Sequence, residues 1–305
     1  MGEILNLSAT GMEGQRIDKA LAVLQPDMSR SYIQKMIKDG KVFVNQKVIK
    51  ANYKLESTDE ITVHVPEPVK LDIQPEKMDL DILYEDEDII VINKAKGVVV
   101  HPAAGHYSGT IVNGLLYHCD GQLSGINGIL RPGIVHRIDM NTTGAIVACK
   151  NDIAHRFIAE QLKEHSITRK YEAIVYNRFQ QEQGTVDAPI GRHPVDRKKM
   201  AINYKNGKHA VTHYRVLQNL KGNYSHIECE LETGRTHQIR VHMTSINHPL
   251  LGDDVYGPAK SPIRLQGQTL HARILGFIHP TTKQYVEFEA PLPEYFEKLL
   301  NKLDN

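Results

Sequence analysis

The sequence predicts an α+β protein in two parts: a small basic module of helices and short strands, then a larger part with a mixed, largely antiparallel sheet and flanking helices. Three observations carry this. Apolar residues recur at helical and at strand spacing, but without the regular strand–helix repeat that a doubly wound sheet requires. The charge reverses along the chain: Gly14 to Lys54 holds nine basic residues against three acidic, a local +6, whereas Glu56 to Asp88 holds twelve acidic against two basic. Where the modules meet, Pro66-Glu67-Pro68 and Pro75-Glu76 interrupt regular structure, because proline fixes φ and withdraws an amide donor. The expected domains are 14–75 and 80–305, and a chain of 305 residues is too long for one ordinary core.

In chain order, Ile17, Ala20, Leu21 and Leu24 make one apolar helix face with Lys19 turned away. A second helix is marked by Ser29 or Ser31 as N-cap, then Ile33, Met36 and Ile37, with Asp39-Gly40 as its stop. Val42 and Val44 alternate as a strand, Asn45-Gln46 turns, and Ile61, Val63 and Val65 alternate again. The second part begins with strands at Leu80–Tyr84 and Ile89–Ile92 around an acidic turn, followed by a helix from Thr110. Glycines at 121, 125, 128 and 133 make the next segment a loop. It leads to Ile134-Val135 and Ala145 to Ala148, two short apolar runs that read as strands. Asn151 or Asp152 caps a helix with Ile153, Phe157 and Ala154, Ile158 at i, i+4. Arg169 to Tyr176 alternates as a strand with Lys170 and Tyr171 on opposite faces, and Ile227, Cys229 and Leu231 alternate in another. Thr236 is placed to cap a helix on which His237, Arg240 and Thr244 share a face. Strands around Thr282 to Glu289 precede a helix started by Pro293, with Phe296, Leu299, Leu300 and Leu303 apolar.

The totals exclude several classes. Three cysteines, Cys119, Cys149 and Cys229, lie far apart with no Cys-x-x-Cys pair, so neither a disulfide framework nor a cysteine zinc site is indicated and a reducing, cytoplasmic setting is expected. Met1 to Gln15 lacks the features of a signal peptide, and nowhere do about 18 apolar residues run together, so no membrane partner is expected. The net charge of +1 decides nothing about nucleic acid; the distribution does. Sixteen histidines invite a metal reading, notably His237 with His242 and His101 with His136. Five-residue spacing puts two helical side chains about 140° apart, and no His-Glu-x-x-His run exists, so no metal is expected. Neither glycine-rich nucleotide-binding motif is present, so no cofactor is expected.

The stretch from Gly133 to Ala148 flanks a polar centre with those two apolar runs, and in it Asp139 follows Arg137 by two residues. Thr142-Thr143-Gly144 supplies turn chemistry, so the stretch is shaped to hold a charged side chain at a strand end. Taken alone, Asp139 reads as a loop aspartate that satisfies local amides. Tyr171 alone would be core, and Arg240 alone a helix-face salt bridge.

Three stretches together change that reading. His136 to Gly144, Lys170-Tyr171-Glu172-Ala173 and Gly234 to His242 resemble the three signature motifs of the RluA/RluD group of RNA pseudouridine synthases, with Ile138 where leucine is usual and Thr143 where serine is usual. Arg16 to Leu21, Ser29-Arg30-Ser31 and Gly40 to Asn45 resemble an S4-like RNA-binding domain, over about residues 14 to 75. The resemblance implies an isomerase that breaks the base–sugar bond of a uridine, turns the uracil and rejoins it through carbon. By resemblance, Asp139 is the catalytic carboxylate, either a nucleophile at the sugar or a base that starts elimination. Arg240 is its charge partner, and Tyr171 packs on the target base. Arg137 fills the space left by the flipped uridine. Arg16, Arg30, Lys35, Lys38 and Lys41 are assigned to phosphates, and His136, Arg235 and His237 join Arg137 among the RNA-binding residues. The implied partner is RNA, large-subunit (23S) ribosomal RNA foremost. Transfer RNA, or a non-catalytic assembly factor of the same fold, are the readings left open. A glycosidic hydrolase would need a second carboxylate, and none is identifiable. A monomer is expected because nothing advertises an interface.

Overall fold

Alternation of apolar residues at period two, interrupted by helical spacing, builds both parts of the chain. The computed structural model describes residues 3–25, 28, 30–65, 73–102, 106–126, 132–196, 199–261 and 263–304, with only the backbone of Glu3, Arg30 and Ser31. The chain divides into two compact units, 1–70 and 71–305. The Ser29 cap, the Pro66–Pro68 break and Gly128 lie outside the described residues.

In the first unit β1 (Glu3–Ser8), α1 (Ile17–Leu24), α2 (Arg30–Lys38), β2 (Val42–Val44), β3 (Lys47–Val48) and β4 (Glu60–Val65) succeed one another. The strands form an antiparallel sheet in the order β1-β4-β2-β3. Ile17, Ala20 and Leu21 of α1 and Ile33, Met36 and Ile37 of α2 bury against Val42, Val44, Ile61 and Val63. Asn45 and Gln46 take φ of 48° and 64°, the left-handed pair whose twist suits a two-residue hairpin. Ser31 lies within α2, so it is not the cap. The first strand was not anticipated: Leu5 and Leu7 pack on the core, but exposed Ile4 hides their alternation.

The second unit contains β5 (Ile82–Glu85), β6 (Ile89–Lys94), α3 (Ile111–His118), β7 (Thr143–Cys149), α4 (Asp152–Lys163), β8 (Thr168–Tyr176), β9 (Gln183–Asp187), β10 (Ile190–Arg192), β11 (Met200–Ile202), β12 (Val211–Leu220), β13 (Tyr224–Leu231), α5 (Gln238–Ser245), β14 (Leu270–Ile278), β15 (Tyr285–Glu289) and α6 (Glu294–Asp304). Nine strands form one sheet in the order β5-β6-β7-β14-β8-β13-β12-β9, with β15 beside β14. Its pairs are antiparallel except β7 with β14, which makes the fold α+β. Thr110 and Asn151 cap α3 and α4 through bonds from the Asn113 and Ala154 amides. The expected strand at Ile134-Val135 is reduced to a single bridge from Ile134 to Ala148.

Alternate residues of the central strands feed two faces. Ile90, Ile92, Ile146 and Ala148 join Tyr171, Ala173 and Ile239 in the larger core, whereas Ile89, Val91, Ala145 and Val147 pack with Ala154 and Ile158 of α4 on the other side. At the end of β7, Gly144 has φ +108°, and a Cβ there would stand 2.2 Å from the Ala272 carbonyl oxygen. Only glycine lets β14 come this close to the strand that follows the Asp139 loop.

Candidate active site

The loop before β7 is held from beneath by a buried amine. Lys94, at the end of β6 and 1% exposed, donates from Nζ to the carbonyls of Ala95 and Val98, both at 2.8 Å, and of Met140 at 2.9 Å. Three acceptors on three N–H sites complement an ammonium; burial pulls this lysine's pKa down to about 7, against the opposing charge of Asp139. The loop closes on itself where the Thr142 amide donates to the Asp139 carbonyl at 3.0 Å, and Gln268 Nε2 donates to the Thr142 hydroxyl at 3.1 Å. Asp139 is thereby presented at a strand end, as the turn chemistry required. Its side chain is 26% exposed.

Arg240 of α5 reaches across to it. Its Nη1 donates to Asp139 Oδ2 at 2.9 Å, while Nε and Nη2 make a fork with Asp253 Oδ2 and Oδ1 at 2.7 and 2.9 Å. Asp253 also accepts from the Val255 and Tyr256 amides. Burial works against both charges, yet these bonds hold the Asp253 carboxyl below its ordinary value and push the Arg240 guanidinium higher still. Arg240 is therefore a fixed cation with one arm free for Asp139.

Thr236 does not cap α5. The residue before the helix is His237, in the left-handed region at φ 58°, and the segment is fastened by Gln238, whose Oε1 accepts from the Thr233 hydroxyl at 2.8 Å and the Arg235 amide at 2.9 Å. The left-handed step turns the His237 ring so that Nε2 lies 3.8 Å from Asp139 Oδ1 and Nδ1 lies 2.8 Å from the Tyr256 hydroxyl. That hydroxyl oxygen accepts from the Met200 amide at 2.8 Å, leaving its proton for Nδ1 and the imidazole proton for Nε2, toward Asp139. Burial outweighs the attraction of Asp139 and lowers the His237 pKa, which keeps the ring neutral near pH 7.

Asp139, Arg240 and Tyr171 line a cavity of about 280 Å³. Tyr171 projects from β8 and is 8% exposed; burial, and then Asp139, raise its pKa, so the phenol stays protonated. Leu231, Ile239 and Leu270 supply apolar wall, and Arg137 lines the same cavity with an exposed side chain. Arg169, two residues before Tyr171 on the same strand face, and Arg235 line the cavity further along. Arg235 Nε donates to the His209 carbonyl at 2.9 Å. The His136 ring also lines it, but its Nε2 accepts from the Val147 amide at 3.1 Å, and burial lowers its pKa to about 3. It pins the loop to β7 as a neutral ring. His242 is bonded within the fold, to the Thr212 hydroxyl and the Ala188 carbonyl.

In the first unit, Arg16, Lys35, Lys38 and Lys41 are exposed, Arg16 leaning on the buried Asp18 at 3.0 Å. The Arg30 side chain lies outside the described atoms. Lys94, Asp253, Tyr256 and Gln268 complete the site and were not anticipated. The one signal in the sequence was Gly252-Asp253-Asp254, a turn-like acidic pair of ordinary appearance.

Residues 88–245 match the family model described as RNA pseudouridylate synthase, and residues 15–61 match the S4 domain. The chain belongs to the RNA pseudouridine synthase family. It is 52% identical over 303 residues to the uncharacterized RNA pseudouridine synthase YlyB of Bacillus subtilis, covering 99% of each chain. It is 49% identical over 302 residues to the ribosomal large subunit pseudouridine synthase D of Zymomonas mobilis, covering 96% of this chain and 95% of that one. Among solved structures, human RNA pseudouridylate synthase domain containing 1 superposes with a TM-score of 0.56 at 25% identity, over 78% of this chain and 97% of that chain. The synthase is thus an isomerase whose substrate is RNA. No helix among its described residues is long and apolar enough to cross a membrane.

Proposed function

We propose that this synthase isomerises uridines of large-subunit ribosomal RNA, in the cytoplasm, with Asp139 as the reacting carboxylate. The observation that carries the catalytic reading is the division of labour at Asp139, which lines the same cavity as Tyr171: Arg240 occupies Oδ2 at 2.9 Å, while Oδ1 stands 3.8 Å from His237 Nε2, beyond hydrogen-bond distance. An exposed loop aspartate needs no such partner. A doubly anchored arginine beside it keeps the carboxylate charged and fixes which oxygen meets the sugar.

In this reading the target uridine leaves its stack and enters the cavity, at a cost of a few kcal/mol in unstacking, offset by contact with Tyr171 and the apolar wall. Arg137, exposed beside the opening, takes the place of the flipped base in the RNA. Asp139 Oδ1 then reacts at the sugar, as nucleophile at C1′ or as base at C2′, and the uracil turns and rejoins through C5. The steps consume nothing and need no redox partner or metal. Exposed Arg16, Lys35, Lys38 and Lys41 of the S4 unit, with Arg30, add sequence-independent affinity through phosphates, and one chain suffices for the site. Support for ribosomal RNA comes from the S4 match and from relatives named for the large ribosomal subunit.

The test is tritium release from RNA labelled at C5 of uridine. The wild-type protein releases tritium from large-subunit ribosomal RNA of a strain lacking the gene, and Asp139→Asn releases none. Release by the variant at the wild-type rate overturns the catalytic reading; release from transfer RNA alone overturns the substrate reading.

A further inference from the structure

Arg169 is buried to all but 6% of its surface, lines the cavity beside Tyr171 and has no carboxylate partner among the described residues. Its Nη2 donates to the Glu232 carbonyl at 2.8 Å and to that of Leu231 at 3.5 Å. Nε is buried with no acceptor, and Nη1 stands where Gly234 lacks a side chain, a Cβ there falling 2.7 Å away. Arg235 and His165 lie near enough to add repulsion rather than relief. Burying an uncompensated guanidinium is expensive unless an acceptor arrives with the substrate.

We propose that Arg169 donates to a carbonyl oxygen of the flipped uracil and stabilises the negative charge that the ring takes up when the C1′–N1 bond breaks. The inference rests on the reading that this cavity receives the target uridine. On either route open to Asp139, the bonding pair of C1′–N1 leaves with the uracil and its charge spreads over N1, O2 and O4. C5 then bonds to C1′, the C5 proton departs, and N1 ends protonated, so atoms and charge balance. A buried cation beside the apolar wall of Leu231 and Leu270 acts on this charge in a lowered dielectric. At O4 the same donor also selects uracil over cytosine, whose amino group at that position offers no acceptor. Depth separates this role from phosphate binding: Arg169 shares the face of Tyr171 on β8, whereas Arg235 and His165 are the more exposed basic residues that line the same cavity.

The experiment compares wild-type protein, Arg169→Met and Arg169→Lys in single turnover on ribosomal RNA containing uridine or 5-fluorouridine, following loss of the intact N-linked nucleoside. With uridine, Arg169→Met slows bond breakage about a hundredfold while RNA affinity changes less than about threefold. With 5-fluorouridine, whose ring accepts negative charge more readily, the deficit shrinks to about tenfold. Arg169→Lys, which keeps the charge, falls between and preserves the test where the methionine variant does not fold. An equal deficit on both RNAs overturns the proposal. So does weakened binding at unchanged rate with a salt dependence lowered by about one ion, which assigns Arg169 to a phosphate. Asp139→Asn in the same assay separates the two levels: if it is inactive while Arg169→Met matches wild type, only the Arg169 proposal fails.

Discussion

Arg240 and Arg169 are both buried cations on the walls of one cavity, and they are held in opposite ways. Arg240 has carboxylates on both sides, Asp253 as a two-bond anchor and Asp139 as the exposed partner. Among the described residues, Arg169 has only backbone carbonyls at Nη2 and no anion. A paired arginine is finished before substrate arrives and its purpose is to hold something still. An arginine with idle donors is completed by what enters, and burial, which lowers its own pKa, marks the cost of waiting. Charge in this site is thus arranged as one settled triad and one open position.

The largest effect follows from dismantling the settled side. Arg240→Met leaves Asp253 as an uncompensated buried charge and frees Asp139, so stability drops by about 3–5 kcal/mol and turnover by at least about a thousandfold. Urea unfolding and tritium release read the two losses separately. Asp253→Asn keeps the Asp139 bond but removes the anchor; we expect turnover lower by about a hundredfold with a smaller loss of stability. If its turnover stays at the wild-type value, the fork to Asp253 has no part in aiming Arg240. On the open side, Gly234→Ala forces the Arg169 guanidinium to move, because the new Cβ would meet Nη1 at 2.7 Å. The expectation is about a tenfold loss of rate with Arg240 undisturbed, and an unchanged rate denies that the present position of Arg169 matters. The smallest effect tests the neutral pin between them. His136 has a folded pKa near 3 against an ordinary 6.5, so the unfolded chain takes up the proton first, and stability present above pH 6.5 is lost as pH falls through that window. His136→Gln, which keeps an acceptor for the Val147 amide, removes up to about 1.4 kcal/mol per pH unit of that slope in urea unfolding from pH 6.5 to 5.

Much of this arrangement could be read from the sequence, where local chemistry dictates structure. The helices at Ile17, Thr110 and Asn151 announced themselves by spacing and caps, and the three motifs brought Asp139, Tyr171 and Arg240 to one cavity. What escaped was whatever depends on distant partners. β14 is buried on both faces, so Leu270–Ile278 shows no alternation, and β1 hides its pattern behind Ile4. Thr236 has the chemistry of a cap, yet Gln238, bonded to Thr233 and to the Arg235 amide, outcompetes it and leaves His237 in a left-handed turn. Lys94 and Asp253 look like surface charges until the strand and loop around them close.

The partners at the centre of the site are 101 residues apart, Asp139 to Arg240. The strand that seats itself between β7 and β8 is drawn from residues 270–278, near the end of the chain. During synthesis, Asp139 and Tyr171 emerge long before Arg240 does, and the central gap of the sheet stays open until β14 leaves the ribosome. A partly made chain therefore carries Asp139 without the cation that pairs with it. The site is thus assembled only when residues about a hundred positions apart in the chain have both been made.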